Sequence, residues 1–148
     1  ELTELEAASV AAMNKSREAL NAADVVVFAF PLWNQTIPAV LQTFIDYTYG
    51  AGYSFKYDEN GQLVSLMTDK KYIVLNARGG NYSNPAMNAM EMAVNYINNV
   101  VGGVYGMEKL AEVIIEGHAA DRANAESIIA AGLEKVQAVA QKLATVTV

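Results

Sequence analysis

The sequence contains no cysteine, so the chain has no disulfide, no thiol nucleophile and no thiolate ligand for a metal. It has one histidine and one tryptophan among 148 residues. No cluster of histidine and carboxylate residues shows the spacing typical of a metal site. Because no nucleophile and no acid/base pair stands out, an enzyme built on this chain is expected to use a bound cofactor for its chemistry.

Basic residues are also scarce: ten Lys and Arg face sixteen Asp and Glu, for a formal net charge of -6. Nucleic acids and anionic membrane surfaces require basic patches, so neither is predicted as a partner. No apolar run is long enough to span a bilayer. With 53% hydrophobic and 18% charged residues, the composition is ordinary for a globular protein with one core, and residues 1–148 are predicted to form a single domain.

The most informative stretch is the apolar run Val25–Phe30, which has no polar alternation. Such a run is typical of a strand buried on both faces, as in a parallel sheet. Pro31 ends it, and residues 32–35 form a short loop. Thr36 is predicted to cap the next helix, whose first turn tolerates Pro38. In open α/β sheets, ligands bind beside loops of this kind, at the carboxyl ends of the strands.

Two further strands are predicted at Tyr72–Leu75 and Leu110–Ile115. The first is followed by the polar loop 76–84 and the second by the loop 116–120. If the strands at 25–30 and 72–75 are neighbours, their exit loops lie side by side at one edge of the sheet. Strands alternating with helices predict a parallel sheet covered on both faces, a three-layer α/β/α fold.

Helical periodicity or propensity favours helices at 1–22, 36–49, 85–99 and from about Asp121 to Ala144, whereas the glycine-rich stretch 101–107 is expected to be a loop. Residues 53–66 break the α/β alternation: aromatic residues alternate with polar ones, and Asp58–Gly61 is a strong turn signal. We expect an inserted hairpin there, with some of its aromatic side chains packing on another surface, such as a second subunit.

Several residues in the exit loops of the three predicted strands have both a functional and an ordinary interpretation. Trp33 can pack against an aromatic ring, or simply belong to a core or interface. Asn34 can both donate and accept at a ligand edge, or serve as a turn residue. Gly79 and Gly80 can let a flat ligand approach the backbone, or form a flexible turn. His118 can act as an acid or base, but an exposed loop histidine is the expectation.

Four segments together resemble one family. Residues 23–34 (ADVVVFAFPLWN), 51–61 (AGYSFKYDENG), 70–80 (KKYIVLNARGG) and the pair Glu116–Gly117 are similar, in the same order, to segments of the FMN-dependent NADH-azoreductases. These are quinone reductases of flavodoxin-like fold. The resemblance covers nearly the whole chain.

The resemblance implies a flavodoxin-like doubly wound sheet, bound FMN, and a cytoplasmic homodimer with the flavin sites at its interface. It also implies ping-pong transfer from NADH through the flavin to a quinone or an azo compound. Carried over by position, the residues lining the flavin would be Leu32, Trp33, Asn34, Gln35, Ala77, Arg78, Gly79 and Gly80. Ala77 stands where many relatives have Ser or Thr, and Tyr57 matches an aromatic residue of the substrate pocket.

One departure from the family concerns the amino terminus. Family members begin with a strand, a Ser-rich phosphate-binding loop and a second strand, none of which is in this sequence. Because the phosphate contacts are missing, the resemblance implies a fragment that binds FMN weakly or not at all. It also implies an apolar edge at 25–30 that something must cover. The alternatives to an active oxidoreductase are a non-catalytic electron-carrier or binding module and an inactive fragment of the enzyme.

Overall fold

The computed structural model describes residues 2–145. Five strands and four α-helices are described there, with short 3-10 and π-helical segments between them. In chain order they are α1 (Glu4–Ala22), β1 (Val25–Pro31), α2 (Ala39–Thr48), β2 (Phe55–Tyr57), β3 (Leu63–Ser65), β4 (Lys71–Arg78), α3 (Val94–Ile97), β5 (Glu108–Glu116) and α4 (Ala125–Thr145).

The main sheet has three parallel strands in the order β1-β4-β5. Pairing runs in register from Val25 opposite Lys71 to Pro31 opposite Ala77. Strand β4 therefore lies at the centre, and Val74 in its middle has no solvent exposure. Strand β1 is an edge, and Val27 on it is 52% exposed. The predicted parallel sheet of flavodoxin-like type is confirmed, with three strands in the described part of the chain.

Helices cover both faces of this sheet. On one face, side chains of α1, α2 and the helical segment 94–104 form the main core around Phe28, Tyr72 and Tyr105. On the other face, α4 packs on β5 so closely that a Cβ on Gly132 would overlap the Ile115 side chain. A side chain at position 132 would therefore require the Ile115 side chain or the helix itself to shift.

Helix α1 starts with a capping box, in which the Thr3 hydroxyl accepts from the Glu6 amide and the Glu6 carboxylate accepts from the Thr3 amide. The predicted helix is confirmed from Glu4 onward, and Glu1 lies outside the described residues. Its apolar stripe is only partly used: Leu20 is buried, whereas Leu5 is 78% exposed.

The predicted helix 85–99 is confirmed only for residues 94–99, and the predicted loop 101–107 was wrong for residues 101–104. Residues 88–90 form a 3-10 turn, α3 begins only at Val94, and the chain continues as a π-helix through residues 98–104. Glu91 marks the late start, because its carboxylate, held beside Arg78, accepts from the amides of Ala93 and Val94 and so caps the helix there.

Strands β2 and β3 pair antiparallel within the stretch predicted to be a hairpin. The turn between them places Gly61 at a φ of 74°, a conformation that favours glycine. Phe55 is buried against the ring of Tyr49, with ring centres 5.0 Å apart, whereas Tyr57 is 62% exposed.

Candidate functional site

The loop after β1 is a tight turn closed by two hydrogen bonds. The Trp33 amide donates to the Thr36 carbonyl at 3.0 Å, and the Thr36 amide donates back to the Trp33 carbonyl at 2.9 Å. Asn34 and Gln35, between them, have φ angles of 49° and 68°. This is the pattern of a type I′ turn, and it holds a glutamine in a region that favours glycine. The turn occupies Thr36, so the predicted helix cap at Thr36 was wrong, and α2 begins after Pro38.

The loop after β4 lies directly beside this turn. The Leu32 amide donates to the Ala77 carbonyl at 2.9 Å, which extends the β1-β4 ladder beyond Pro31. The Gln35 carbonyl accepts from the Met92 amide at 2.9 Å and fixes the far side of the turn. The structure therefore brings together the two loops that carry the predicted flavin-lining residues.

The exit loop of β5 packs against the Gly79–Gly80 loop from the other side. The Gly117 amide lies 3.2 Å from the carbonyl oxygens of both Arg78 and Gly80, and the Ala119 amide donates to the Gly79 carbonyl at 3.0 Å. A Cβ on Gly79 would lie 2.9 Å from the Ala119 Cβ. Close packing between two loops is thus one physical reason for glycine at this position.

Gly80 has a different neighbour. A Cβ there would lie 3.0 Å from the ring of Tyr82, whose face is in turn 5.6 Å from the Arg78 guanidinium carbon. In the described part of the chain, the amides of Asn34, Gln35, Gly79 and Gly80 pair with no acceptor. Unpaired amides on two adjacent turns are suited to the oxygen and nitrogen acceptors at the edge of a flat heterocycle.

The side chain of Arg78 is buried, with 4% exposure, and turns toward carboxylates. Its guanidinium contacts Glu116 at 2.9 Å through both Nε and Nη2, and Nη1 lies 3.6 Å from Glu91. The same Glu116 oxygen accepts from the amides of Tyr82 and Ser83. Arg78 therefore reaches the loop that follows it in two ways: Nη2 donates directly to the Ser83 hydroxyl at 3.4 Å, and Glu116 on the neighbouring strand links the guanidinium to the Tyr82 and Ser83 amides.

The environment of Glu116 favours its charged form. Partial burial works to raise the pKa of this carboxyl, but hydrogen bonds from Ser83 and the positive charge of Arg78 outweigh it and hold the pKa below its usual value. A group that stays ionised at moderately acidic pH keeps its partners fixed over that range.

The other candidate residues have varied surroundings. Trp33 is 59% exposed and borders two surface grooves, one along the open edge of β1 and one toward Gln42 of α2. Ala77 is exposed, and Tyr57 belongs to the hairpin, where its ring packs edge-on against Phe55. His118 lies in the β5 exit loop, and its Nδ1 is buried without a partner among residues 2–145.

Sequence reasoning missed the roles of Glu91, Glu116 and Tyr82. Glu116 was noted only as part of a resemblance, although an acidic residue in register with Arg78 on a neighbouring strand is a recognisable signal once the pairing is known. Glu91 had no such signal, because it was expected to lie within a helix. Among residues 2–145, no group of three or more metal-ligating side chains is present, and no helix is long and apolar enough to cross a membrane.

Comparison with known proteins identifies the family. A family model described as flavodoxin-like fold matches residues 2–140. The chain is 50% identical over 142 residues to FMN-dependent NADH:quinone oxidoreductase 4 of Bacillus cereus (strain ATCC 10987), covering 96% of this chain and 67% of that protein. It is 46% identical, with the same coverage, to FMN-dependent NADH:quinone oxidoreductase 1 of Bacillus subtilis (strain 168). The chain belongs to the FMN-dependent NADH:quinone oxidoreductase family.

Solved structures agree with this assignment. An azoreductase from Bacillus anthracis str. Sterne has a TM-score of 0.87 at 49% identity, covering 96% of this chain and 67% of that one. An FMN-dependent NADH-azoreductase from Bacillus anthracis str. Ames Ancestor, in complex with FMN, has a TM-score of 0.86 at 26% identity, covering 98% and 68%. The chain thus spans about two thirds of the length of these oxidoreductases.

The residues present at the sheet edge fit the ring system of FMN. The unpaired amides of the two turns offer donors, and the exposed Trp33 offers an aromatic face. Asn76, buried just below the turns, donates to the Phe30 carbonyl and keeps an unpaired side-chain oxygen. An orphaned buried acceptor of this kind is expected where a further donor or a water completes a site.

Proposed function

We propose that this chain binds the ring of FMN between the turn at residues 32–35 and the loop at residues 77–80, and serves in electron transfer from NADH to a quinone or an azo compound. The observation that carries the proposal is the pair of adjacent turns with unpaired amides, joined by the Leu32–Ala77 hydrogen bond. Membership of an FMN-dependent oxidoreductase family supports it.

In this proposal, the groups of the chain itself bind and orient the FMN ring. The amides of Asn34, Gln35, Gly79 and Gly80 donate to acceptors on the ring edge, where pre-formed donors act without having to reorganise. Trp33 packs against the ring or the bound substrate. When bound, FMN supplies the redox chemistry itself, alternately accepting reducing equivalents from NADH and passing them to the acceptor in a ping-pong cycle.

We further propose a homodimer in which Tyr57 of one subunit borders the substrate site of the other. Support comes from exposed apolar side chains on two elements of a single chain. Tyr57 and Leu63 of the hairpin are 62% and 41% exposed, and Leu2 and Leu5 near the start of the chain are 62% and 78% exposed. A contiguous patch of exposed apolar side chains is typical of a surface that binds another protein, and these four side chains are the candidates for such a patch.

The test is a titration of the purified chain with FMN, followed by steady-state oxidation of NADH with a water-soluble benzoquinone. Saturable FMN binding and a family of parallel double-reciprocal lines are expected. FMN binding without NADH oxidation favours the electron-carrier alternative, and no FMN binding at millimolar concentration contradicts the proposal.

A further inference from the structure

Arg78 is the centre of a buried ionic cluster. The proposed contacts between the two loops and the FMN ring give this cluster no role. Its side chain is 4% exposed, as is that of Glu91, whereas that of Glu116 is 20% exposed. One positive and two negative charges share this space, so the cluster carries a net negative charge. Buried charges are tolerated only when further hydrogen bonds satisfy the lone pairs and protons that the ion pairs leave free.

Backbone amides donate hydrogen bonds to both carboxylates. Glu116 accepts from the amides of Tyr82 and Ser83, at 3.0 and 3.2 Å, and thereby holds the loop after Gly80. Glu91 accepts from three amides at the start of α3, those of Ala93, Val94 and Asn95. Each carboxylate therefore links Arg78 to a separate stretch of backbone.

The stretch held by Glu91 is itself joined to the other loop of the site. Met92, the next residue, donates its amide to the Gln35 carbonyl at 2.9 Å. A continuous set of contacts thus runs from Gln35 through Met92 and Glu91 to Arg78, and from Arg78 through Glu116 to Tyr82. These contacts join the two loops independently of the Leu32–Ala77 hydrogen bond.

We propose that Arg78 is a positioning residue: through Glu91 and Glu116, its guanidinium fixes the turn at 32–35 and the loop at 79–83 relative to one another. The side chain acts on the cofactor through these loops and makes no contact with the ring, and only its backbone belongs to the ring-lining set. The consequence for FMN binding rests on the proposed function, whereas the loop-fixing role does not.

The first test measures amide hydrogen exchange in the ligand-free chain. Glu116→Ala removes the acceptor of the Tyr82 and Ser83 amides. These two amides are expected to exchange about 10- to 100-fold faster, the range for loss of a hydrogen bond to a charged group. Glu116→Gln keeps an oxygen acceptor, so it is expected to show a smaller increase and a partial rescue.

Coupling between the loops is tested with Arg78→Met, which leaves both carboxylates without their cation. The Met92 amide is expected to exchange at least about 5-fold faster, together with those of Tyr82 and Ser83. Compared with Arg78→Met, Arg78→Lys restores the positive charge but only one contact, so we expect exchange rates between those of Arg78→Met and wild type. Since Arg78→Met can fail to fold, Arg78→Lys and Glu91→Gln provide the same readout with less disruption.

The control is Glu112→Gln, which neutralises a carboxylate on the same strand, paired with Lys109 at 2.8 Å. It is expected to leave the amides of Tyr82, Ser83 and Met92 unchanged. The proposal is overturned if Glu116→Ala leaves Tyr82 and Ser83 unchanged, or if Arg78→Lys and Glu91→Gln both leave Met92 unchanged. Uniformly faster exchange throughout the chain would also overturn it, since that is the mark of general destabilisation.

A second test measures the affinity of the chain for FMN. In Arg78→Lys, the FMN dissociation constant is expected to rise at least about 5-fold relative to wild type, with unchanged far-ultraviolet circular dichroism and no change in Glu112→Gln. If wild type binds FMN and Arg78→Lys binds it with the same affinity, the proposal that Arg78 positions the loops for the cofactor is overturned. If wild type binds no FMN, the proposed function fails, while the exchange data still decide whether Arg78 fixes the loops.

Discussion

The amide of Leu32 donates to the carbonyl oxygen of Ala77 at 2.9 Å, so the turn after β1 and the loop after β4 are neighbours in space. The hydrogen bond follows from parallel pairing, because Pro31 and Ala77 are opposite each other at the ends of the two strands. Residues far apart in the sequence therefore share one edge of the sheet, where open α/β folds bind their ligands.

The backbone of the first turn is strained at Gln35. Its φ of 68° lies in the left-handed region, which costs roughly 1–2 kcal/mol for a residue with a Cβ. Gln35→Gly removes that strain but adds chain entropy to the unfolded state, so we expect a net gain of about 0.5 kcal/mol in the free energy of unfolding. Thr36→Gly, the neighbouring control, relieves no such strain and is expected to destabilise. Urea unfolding measures both, and a loss of stability in Gln35→Gly would contradict the strained turn.

Tyr105 makes a buried hydrogen bond in the core. Its hydroxyl lies 2.9 Å from the Thr48 hydroxyl, and burial raises its pKa above the usual range, so the group stays protonated. Tyr105→Phe is expected to lower the free energy of unfolding by about 1 kcal/mol, since Thr48 keeps the Phe44 carbonyl as a partner. Tyr57→Phe on the exposed hairpin should change it by less than about 0.5 kcal/mol. Equal effects in the two variants would argue against the buried pair.

The contact between α4 and β5 depends on Gly132. In Gly132→Ala, the new methyl group would meet the Ile115 side chain, and overpacking of this kind typically costs about 1–3 kcal/mol. Gly103→Ala is the matched control, because nothing lies within 4 Å of a Cβ at that position. Thermal or urea unfolding should separate the two variants. Similar stability in both would mean that the helix and the sheet are less closely packed.

Stability should depend on the ionisation of Glu116. Its pKa is lower in the folded than in the unfolded chain, so its stabilising contribution is complete above the usual value near 4.5 and is lost as the pH falls through the folded pKa. Arg78 and Glu91 face the same group, and the cation favours its charged form. We expect the urea midpoint of wild type to fall more steeply below pH 4.5 than that of Glu116→Gln. Parallel pH profiles would contradict this assignment.

The sheet was predictable because β1 and β4 each contain a local apolar run bounded by polar or turn residues. Val25–Phe30 and Tyr72–Leu75 show this pattern without alternation, and both are strands. The neighbouring loops followed from parallel pairing alone. The details of each loop did not follow, because they depend on hydrogen bonds between residues distant in the sequence.

The segment 85–104 shows where local patterns fail. Methionine, alanine and valine residues at 87–94 favour a helix by propensity, yet the chain becomes α-helical only at Val94. The Glu91 carboxylate, held next to Arg78 by the fold, supplies the cap that sets this start. Tertiary structure thus overrides propensity there. The resemblance carries Arg78 over as a flavin-lining residue, which stays a prediction, and the burial of its side chain against Glu91 and Glu116 depends on tertiary contacts that sequence spacing does not reveal.

The most direct test of the account is a titration of the isotopically labelled chain with FMN, monitored by the amide resonances of Asn34, Gln35, Gly79 and Gly80. The account predicts that these four resonances shift together and saturate at one FMN per chain, while the Val139 and Leu143 amides of α4, beside Ile73 and Leu110 near the amino ends of the strands, do not move. Saturable binding that shifts a different set of amides, with these four unchanged, would contradict it.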